Sequence, residues 1–326
     1  VTDLKHRILS RVSADLSDIE IAISQNLSPH LDLVSEVARH ILFSGGKRLR
    51  PLLMVLSARI CGYQESDAVP FSAIFEYLHA ATLLHDDLVD GATLRRGQKA
   101  AHHIWGNPTA VLVGDFLLAR SLSLAAKTEQ PRIISTIAGI TETMSQGEIH
   151  QLQLKGNPTI TEADYMEVIR RKTAVLFEGA CRSGALLADA SEEKVIALGR
   201  YGADLGLAFQ MADDLLDYVS NTRVLGKTVG ADLREGKLTL PVIYALQKTG
   251  KEKKDWILDM ISRSDFSVQD FESLVKILHE SGGIDYTKTM AKRYVESAKD
   301  SIGIFSLSPT RNLLMDIADY ALSRKM

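Results

Sequence analysis

Cysteine is nearly absent: the 326-residue chain has two, Cys61 and Cys181. They form no CxxC pair and no Cys/His cluster, which argues against a zinc site or a secreted disulfide scaffold. Both read as reduced, partly buried thiols in a reducing compartment. An excess of one charge is also missing. The 38 basic and 41 acidic residues leave a net charge of −3. That balance gives no support for a protein that coats nucleic acid or a strongly basic membrane surface protein. No stretch approaches the ~18 apolar residues of a membrane span. The longest candidates, around Pro51–Ser57 and Ala110–Ala119, are short or interrupted by Gly114-Asp115. Val1 to Arg11 alternates charged and apolar residues, unlike a signal peptide. No linker rich in Pro, Gly or Ser divides the chain, and no repeat of solenoid period is found. What remains is a globular, cytoplasmic chain, long enough to bury a sizeable core without disulfides or structural metal.

What the chain has in quantity is helical periodicity. Apolar residues recur at three and four positions in Leu33–Phe43, Ala73–Leu84, Val111–Ala125, Ile133–Ile149, Ala163–Ile169, Val175–Leu187 and Val195–Leu216. Sustained period-two alternation is nearly absent. Turn signals separate the segments, among them Ser44-Gly45-Gly46, Gly106-Asn107-Pro108, Gly156-Asn157-Pro158 and Gly282-Gly283. Thr161, with Asp164 three positions on, reads as a helix cap. The expectation is one all-α domain over residues 1–326, with about ten to thirteen helices.

Two acidic motifs stand at the ends of apolar helical segments. Asp86-Asp87-Leu88-Val89-Asp90 follows the first, and Asp213-Asp214-Leu215-Leu216-Asp217 follows the second. Positions four apart lie about one turn apart on one helix face. Stacked carboxylates repel one another and sit badly at the negative end of a helix, so something positive should compensate. Hard divalent cations such as Mg²⁺ take carboxylate oxygens and bridge them to phosphates. A single stripe of this kind reads as a solvated acidic face; two at apolar helix ends do not.

Basic clusters complement them. Gly45-Gly46-Lys47-Arg48-Leu49-Arg50-Pro51 puts three cations beside a glycine turn. Glycine lets backbone approach a ligand, and the Arg fork matches phosphate oxygens. Arg95-Arg96-Gly97, Lys172-Thr173, Lys227-Thr228 and Lys237 add more cations. Acidic clusters with separate basic clusters describe a site for two phosphorylated ligands, one bridged by metal and one held directly. No GxxxxGK[ST] is present, so nucleotide hydrolysis is not indicated.

These motifs, in order, resemble the trans-isoprenyl diphosphate synthases, and specifically the long-chain octaprenyl- or solanesyl-type polyprenyl synthases. GGKRLRP, the HxxxxxHDDLVD run from His79, the following RRG, the KT pair, the FQxxDDxxD run and the GKxxxxDxxxGKxTLP run carry the likeness over roughly Asp32 to Leu246. The resemblance implies a helical bundle of the isoprenoid synthase type around a central cavity. It implies condensation of an allylic diphosphate (farnesyl or geranylgeranyl) with isopentenyl diphosphate, for quinone side chains. It also implies a homodimer, with peripheral membrane contact at product release. By the same likeness Asp86, Asp87, Asp90, Asp213, Asp214 and Asp217 hold Mg²⁺, about three ions with substrate bound. Arg95, Lys172, Thr173, Gln210, Lys227 and Lys237 line the allylic diphosphate. Lys47, Arg50, His79 and Arg96 match the isopentenyl diphosphate site. Lys172, Thr173 and Gln210 also face the allylic cation. His85, His102 and His103 have no assigned role and read as structural rather than catalytic.

In family members with short products a bulky aromatic stands four or five positions before the first Asp. Here those positions are Thr82 and Ala81, both small. The product tunnel is expected to pass them and reach Leu78 and Ile74, with Leu118 and Leu122 on its far wall. The resemblance, taken with helical rise, implies a product of about eight isoprene units, roughly seven to ten. The alternatives are a geranylgeranyl synthase, a class I terpene cyclase, which would not need the GGKRLRP site, and a non-catalytic subunit of a heteromeric synthase.

Overall fold

The computed structural model describes residues 2–219, 230–263 and 265–323. Lys227 and Thr228 lie outside these residues. The chain opens with α1 (Thr2–Leu27), α2 (Asp32–Leu42), α3 (Leu49–Ile60) and α4 (Ala68–Val89). A minimal hairpin, β1 (Leu94–Arg95) and β2 (Gln98–Lys99), leads to α5 (Ala101–Trp105), α6 (Asn107–Lys127), α7 (Pro131–Leu154) and α8 (Glu162–Ile169). A π-helical turn (Arg170–Ala174) precedes α9 (Val175–Leu187) and α10 (Glu192–Val219). Then come α11 (Ala231–Arg234), α12 (Leu240–Lys248), α13 (Lys251–Ser262), α14 (Val268–Glu280), α15 (Gly283–Ser301), a 3₁₀ turn (Ile302–Ile304) and α16 (Pro309–Leu322).

All seven periodic segments fall in helices, and the Thr161–Asp164 capping box forms as expected. Among the described residues the sixteen α-helices outnumber the ten to thirteen expected, and α5 and α11 are too short to show a period. The hairpin escapes for the same reason, with two residues per strand. Its turn residues Arg96 (φ 51°) and Gly97 (φ 80°) both take positive φ, the signature of a type I′ turn.

The reading that no stretch approaches the length of a membrane span also needs correction. Helix α6 is long and apolar enough to cross a membrane, with mean hydropathy 1.5 over its best window. Gly114-Asp115 interrupts the apolar run but does not lower the average enough. One face of α6, with Ala110, Gly114, Leu117 and Ser121, is buried, and the helix packs along α4.

The described core forms two apolar clusters. One gathers α1 to α7, α9 and α16, with Tyr77, Phe75, Phe177 and Tyr201 fully buried. The other gathers α8 and α11 to α15. Helix α10 runs through both, with Leu205 and Ala208 in the first and Met211 and Leu215 in the second. Gly206 lets the π-helical turn lie against it: a Cβ there would stand 2.6 Å from the Ala174 Cα. That close approach brings Thr173 within reach of Gln210, one turn further along α10.

Candidate active site

A cavity of about 900 Å³ opens among the α3 N-terminus, α4, the hairpin, α6, α7, the π-helical turn, α9 and α10. Lys47, Arg50, His79, Asp86, Arg95, Arg96, Lys172, Thr173, Gln210 and Asp213 all line it. Residues from distant motifs therefore meet on one surface. A smaller adjoining cavity shares Lys172, Thr173 and Gln210 and adds Asp214 and Lys237.

The six candidate carboxylates divide by orientation. Asp86 and Asp213 line the main cavity. Burial pushes the Asp86 carboxyl up to about 6; Lys172 opposes the shift, and Glu148 and Asp90 add to it. Asp90 accepts from Lys237 Nζ at 2.8 Å. Burial works against the Lys237 ammonium, but its bonds to Asp90 and Glu235 raise its pKa above the ordinary lysine value. Asp87 and Asp214 correct the expectation that all six face a metal. Asp87 is buried and gripped by Arg95 through Nε (2.8 Å) and Nη2. Asp214 is buried and accepts from Tyr165 Oη (2.7 Å) and Gln210 Nε2 (2.7 Å). Burial pushes Asp214 up to about 7 against those two hydrogen bonds. Asp217 accepts from the backbone N–H groups of Ala231 and Asp232, at 3.3 and 3.2 Å. The i, i+1 member of each motif necessarily points off the i, i+4 face.

Lys172 and Thr173 sit in the π-helical turn, a distortion common at functional sites. Lys172 donates to Gln151 Oε1 at 2.8 Å, contacts Glu148 closely and lies 3.6 Å from Asp86. Thr173 donates to Gln210 Oε1 at 2.8 Å, which completes a chain from Thr173 through Gln210 and Asp214 to Tyr165. Across the cavity, the Arg50 guanidinium lies 4.7 Å from the Phe177 ring centroid. Burial, then the charges of Arg50 and Arg96, hold the His79 imidazole well below its usual value, so it is neutral at pH 7.

Below the charged end the walls turn apolar. Asp86 and Glu148 share Lys172, so the C-terminal ends of α4 and α7 meet there. One and two turns deeper lie Thr82, Ala81 and Leu78 on α4, and Met144 and Thr141 on α7, with Leu118 of α6 on another wall. Two expected wall residues lie elsewhere. Ile74 is fully buried in the core and off the cavity lining, and Leu122 is partly solvent-exposed. Twelve residues before Asp86, the α4 face has rotated by about 120° at 3.6 residues per turn. His85 lines the cavity and meets the Val111 carbonyl at 3.2 Å, bridging α4 to α6. His102 and His103 pair ring to ring on α5, away from the lining.

Sequence reasoning missed Glu148, Tyr165 and Glu76, and grouped Arg48 with the phosphate-facing cations. Glu148 follows the buried Gly147 on α7, but a lone acid carries no spacing signal. Among the described residues no group of three or more Asp, Glu, His or Cys side chains closes on a single point as a metal cage. The buried Asp90 Oδ1 nevertheless has no hydrogen-bond donor among the described residues, and Glu148 beside it is paired with the Lys172 ammonium. Such an oxygen suits a hard cation that takes its remaining ligands from a phosphate rather than from the protein.

Residues 31–278 match the family model described as Polyprenyl synthetase. The chain is 39% identical to the "All-trans-nonaprenyl-diphosphate synthase (geranyl-diphosphate specific)" of Rhodobacter capsulatus, over 99% of this chain and 98% of that one. It is 34% identical to the octaprenyl diphosphate synthase of Escherichia coli, covering 98% of both. A Caulobacter crescentus polyprenyl synthase, solved with calcium and isoprenyl diphosphate, superposes with a TM-score of 0.92 at 38% identity, covering 98% of both chains. The motifs, the cavity they share and these full-length likenesses agree: the chain belongs to the polyprenyl synthetase family.

Proposed function

We propose that this prenyltransferase adds successive isopentenyl diphosphates to an allylic diphosphate, farnesyl or geranylgeranyl, and releases an all-trans product of about forty carbons. The observation that carries the reading is one cavity with three surfaces: a carboxylate–lysine wall, a separate basic wall, and an apolar shaft beneath them.

Asp86, Asp90 and Asp213 are the residues to hold Mg²⁺, with Glu148 beside them. Bound there, Mg²⁺ supplies charge neutralisation that makes diphosphate a competent leaving group. The chain's own groups do the rest. Lys172 and Lys237 offset charge as it grows on the departing diphosphate, so they favour the transition state over the ground state. The C–O bond breaks and leaves an allylic cation. The oxygen dipoles of Thr173 and Gln210 face it, and their hydrogen-bonded chain to Tyr165 fixes their direction. Lys47, Arg50 and Arg96 hold the second diphosphate so that its alkene points at the cation. The new C–C bond forms from the alkene electron pair, and a proton passes to the released diphosphate. Arg95 holds Asp87, which anchors the acidic motif from behind. Lys227 keeps its place at the allylic diphosphate on the motif likeness alone.

A homodimer is the assembly that fits this reading, supported by exposed Val111, Leu112 and Leu122 on α6. The proposed setting is the cytoplasm, with peripheral membrane contact when the apolar product leaves, and the product serves quinone side chains. Lys47→Ala should raise KM for isopentenyl diphosphate about tenfold to a hundredfold and change kcat little, because the cation binds an unreacting diphosphate. Initial rates with each substrate varied in turn check this. A selective effect on the allylic KM would exchange the two site assignments.

A further inference from the structure

Arg48 behaves differently from its neighbours Lys47 and Arg50. It is buried, only 4% exposed. Its Nε donates to Glu20 Oε1 at 2.7 Å and its Nη1 to Glu76 Oε1 at 2.6 Å. Its Nη2 donates to Glu20 Oε2 at 3.2 Å and to the Leu42 carbonyl at 2.6 Å. Four of the five guanidinium N–H groups are thus spent on the protein. One side chain joins α1 (Glu20), the last carbonyl of α2 (Leu42) and α4 (Glu76) to the start of α3.

The backbone at Arg48 is left-handed, φ 47° and ψ 34°. A non-glycine residue keeps that conformation where its surroundings over-determine it. Here the four bonds do so. The turn they lock sets the direction in which α3 leaves, with Lys47 just before it and Arg50 in the first helical turn after it. Glu76 lies one turn from His79 on α4, so the same node fixes the His79 face. Gly46 lies against the guanidinium: a Cβ there would stand 2.9 Å from Arg48 Nη1 and 3.4 Å from Arg96 Nη1. Every cation of the isopentenyl side is therefore referenced to Arg48.

We propose that Arg48 is a positioning residue for isopentenyl diphosphate. Its ion pairs with Glu20 and Glu76 hold the backbone from which Lys47 and Arg50 reach the second diphosphate. Helix α1, which contributes no described residue to the catalytic cavity lining, thereby sets affinity for one substrate. The inference rests on placing isopentenyl diphosphate at Lys47 and Arg50.

The test compares Arg48→Lys, Glu20→Gln and their double variant with Lys47→Ala, all as full-length enzyme. Arg48→Lys should raise KM for isopentenyl diphosphate about tenfold, and Glu20→Gln about threefold, with allylic KM and kcat within about threefold of wild type. The double variant should fall short of the product of the two effects, because both act through one contact. Glu20 is the milder site, half-exposed on α1, and carries the test if Arg48→Lys folds poorly. A fall in Tm with both KM values unchanged would make the node merely structural and overturn the proposal. Parallel rises in both KM values would overturn it too. If Lys47→Ala itself acts on the allylic KM, the substrate placement fails. The positioning claim then survives only if Arg48→Lys follows the same substrate as Lys47→Ala.

Discussion

Asp86→Ala should lower kcat by about 10³-fold or more, while the substrate-free protein becomes more stable at pH 7. The two effects have one cause. Burial raises the Asp86 carboxyl from 3.8 to about 6. A folded-state pKa above the unfolded value means that ionisation works against the fold. Below about pH 4 the group is protonated in both states and costs nothing. The cost grows between about pH 4 and 6 and is complete above that, on the order of 3 kcal/mol with the Lys172 attraction already included. Removing the carboxylate relieves that cost, so Tm at pH 7 should rise by a few degrees, about 2 to 6 °C. At pH 4 the difference should vanish. Adding Mg²⁺ and a non-reacting diphosphate should raise the Tm of wild type and fail to raise that of the variant. Thermal melts at the two pH values, with initial rates alongside, check all three. Unchanged turnover would remove Asp86 from the metal site.

Ala81→Phe should shorten the product to roughly fifteen to twenty carbons, because about one helical turn of shaft remains above it. Ala81 is 4% exposed and lines the cavity about one turn below Asp86. Leu78, Met144 and Leu118 line it too, so a phenyl ring at Ala81 enters the shaft rather than solvent. From farnesyl diphosphate one condensation reaches about twenty carbons before the chain meets that ring, so the rate of this first addition should stay within a few-fold of wild type. Overpacking of a buried site costs about 1–3 kcal/mol, and Tm should drop accordingly. Reversed-phase chromatography of the dephosphorylated products reads the length. An unchanged length would mean that the shaft does not run along α4.

The acidic motifs, the KT pair and the GGKRLRP run were legible because their spacing is local and their charge pattern unusual. They reach one cavity as the sequence implies. What escaped was set by tertiary neighbours. Glu148 meets Lys172 only because a π-helical turn lies against α7. Arg48 looks like a third phosphate ligand beside Lys47 and Arg50, and its burial among Glu20, Glu76 and Leu42 shows only in three dimensions. Asp87 and Asp214 read as metal ligands because a DDxxD string does not reveal that adjacent residues diverge by about 100° on a helix. Ile74 fails through the same helical phase, accumulated over three turns. The helical class and most boundaries followed from periodicity, whereas α5, α11 and the hairpin were too short to carry any.

The most direct test of the central claim is product length from the purified protein. Farnesyl diphosphate, radiolabelled isopentenyl diphosphate and Mg²⁺ are incubated with it, and the alcohols are resolved after dephosphorylation. The account predicts a single dominant band near forty carbons. A band near twenty carbons would contradict the open shaft and leave a geranylgeranyl synthase. No incorporation at all would contradict the enzyme itself.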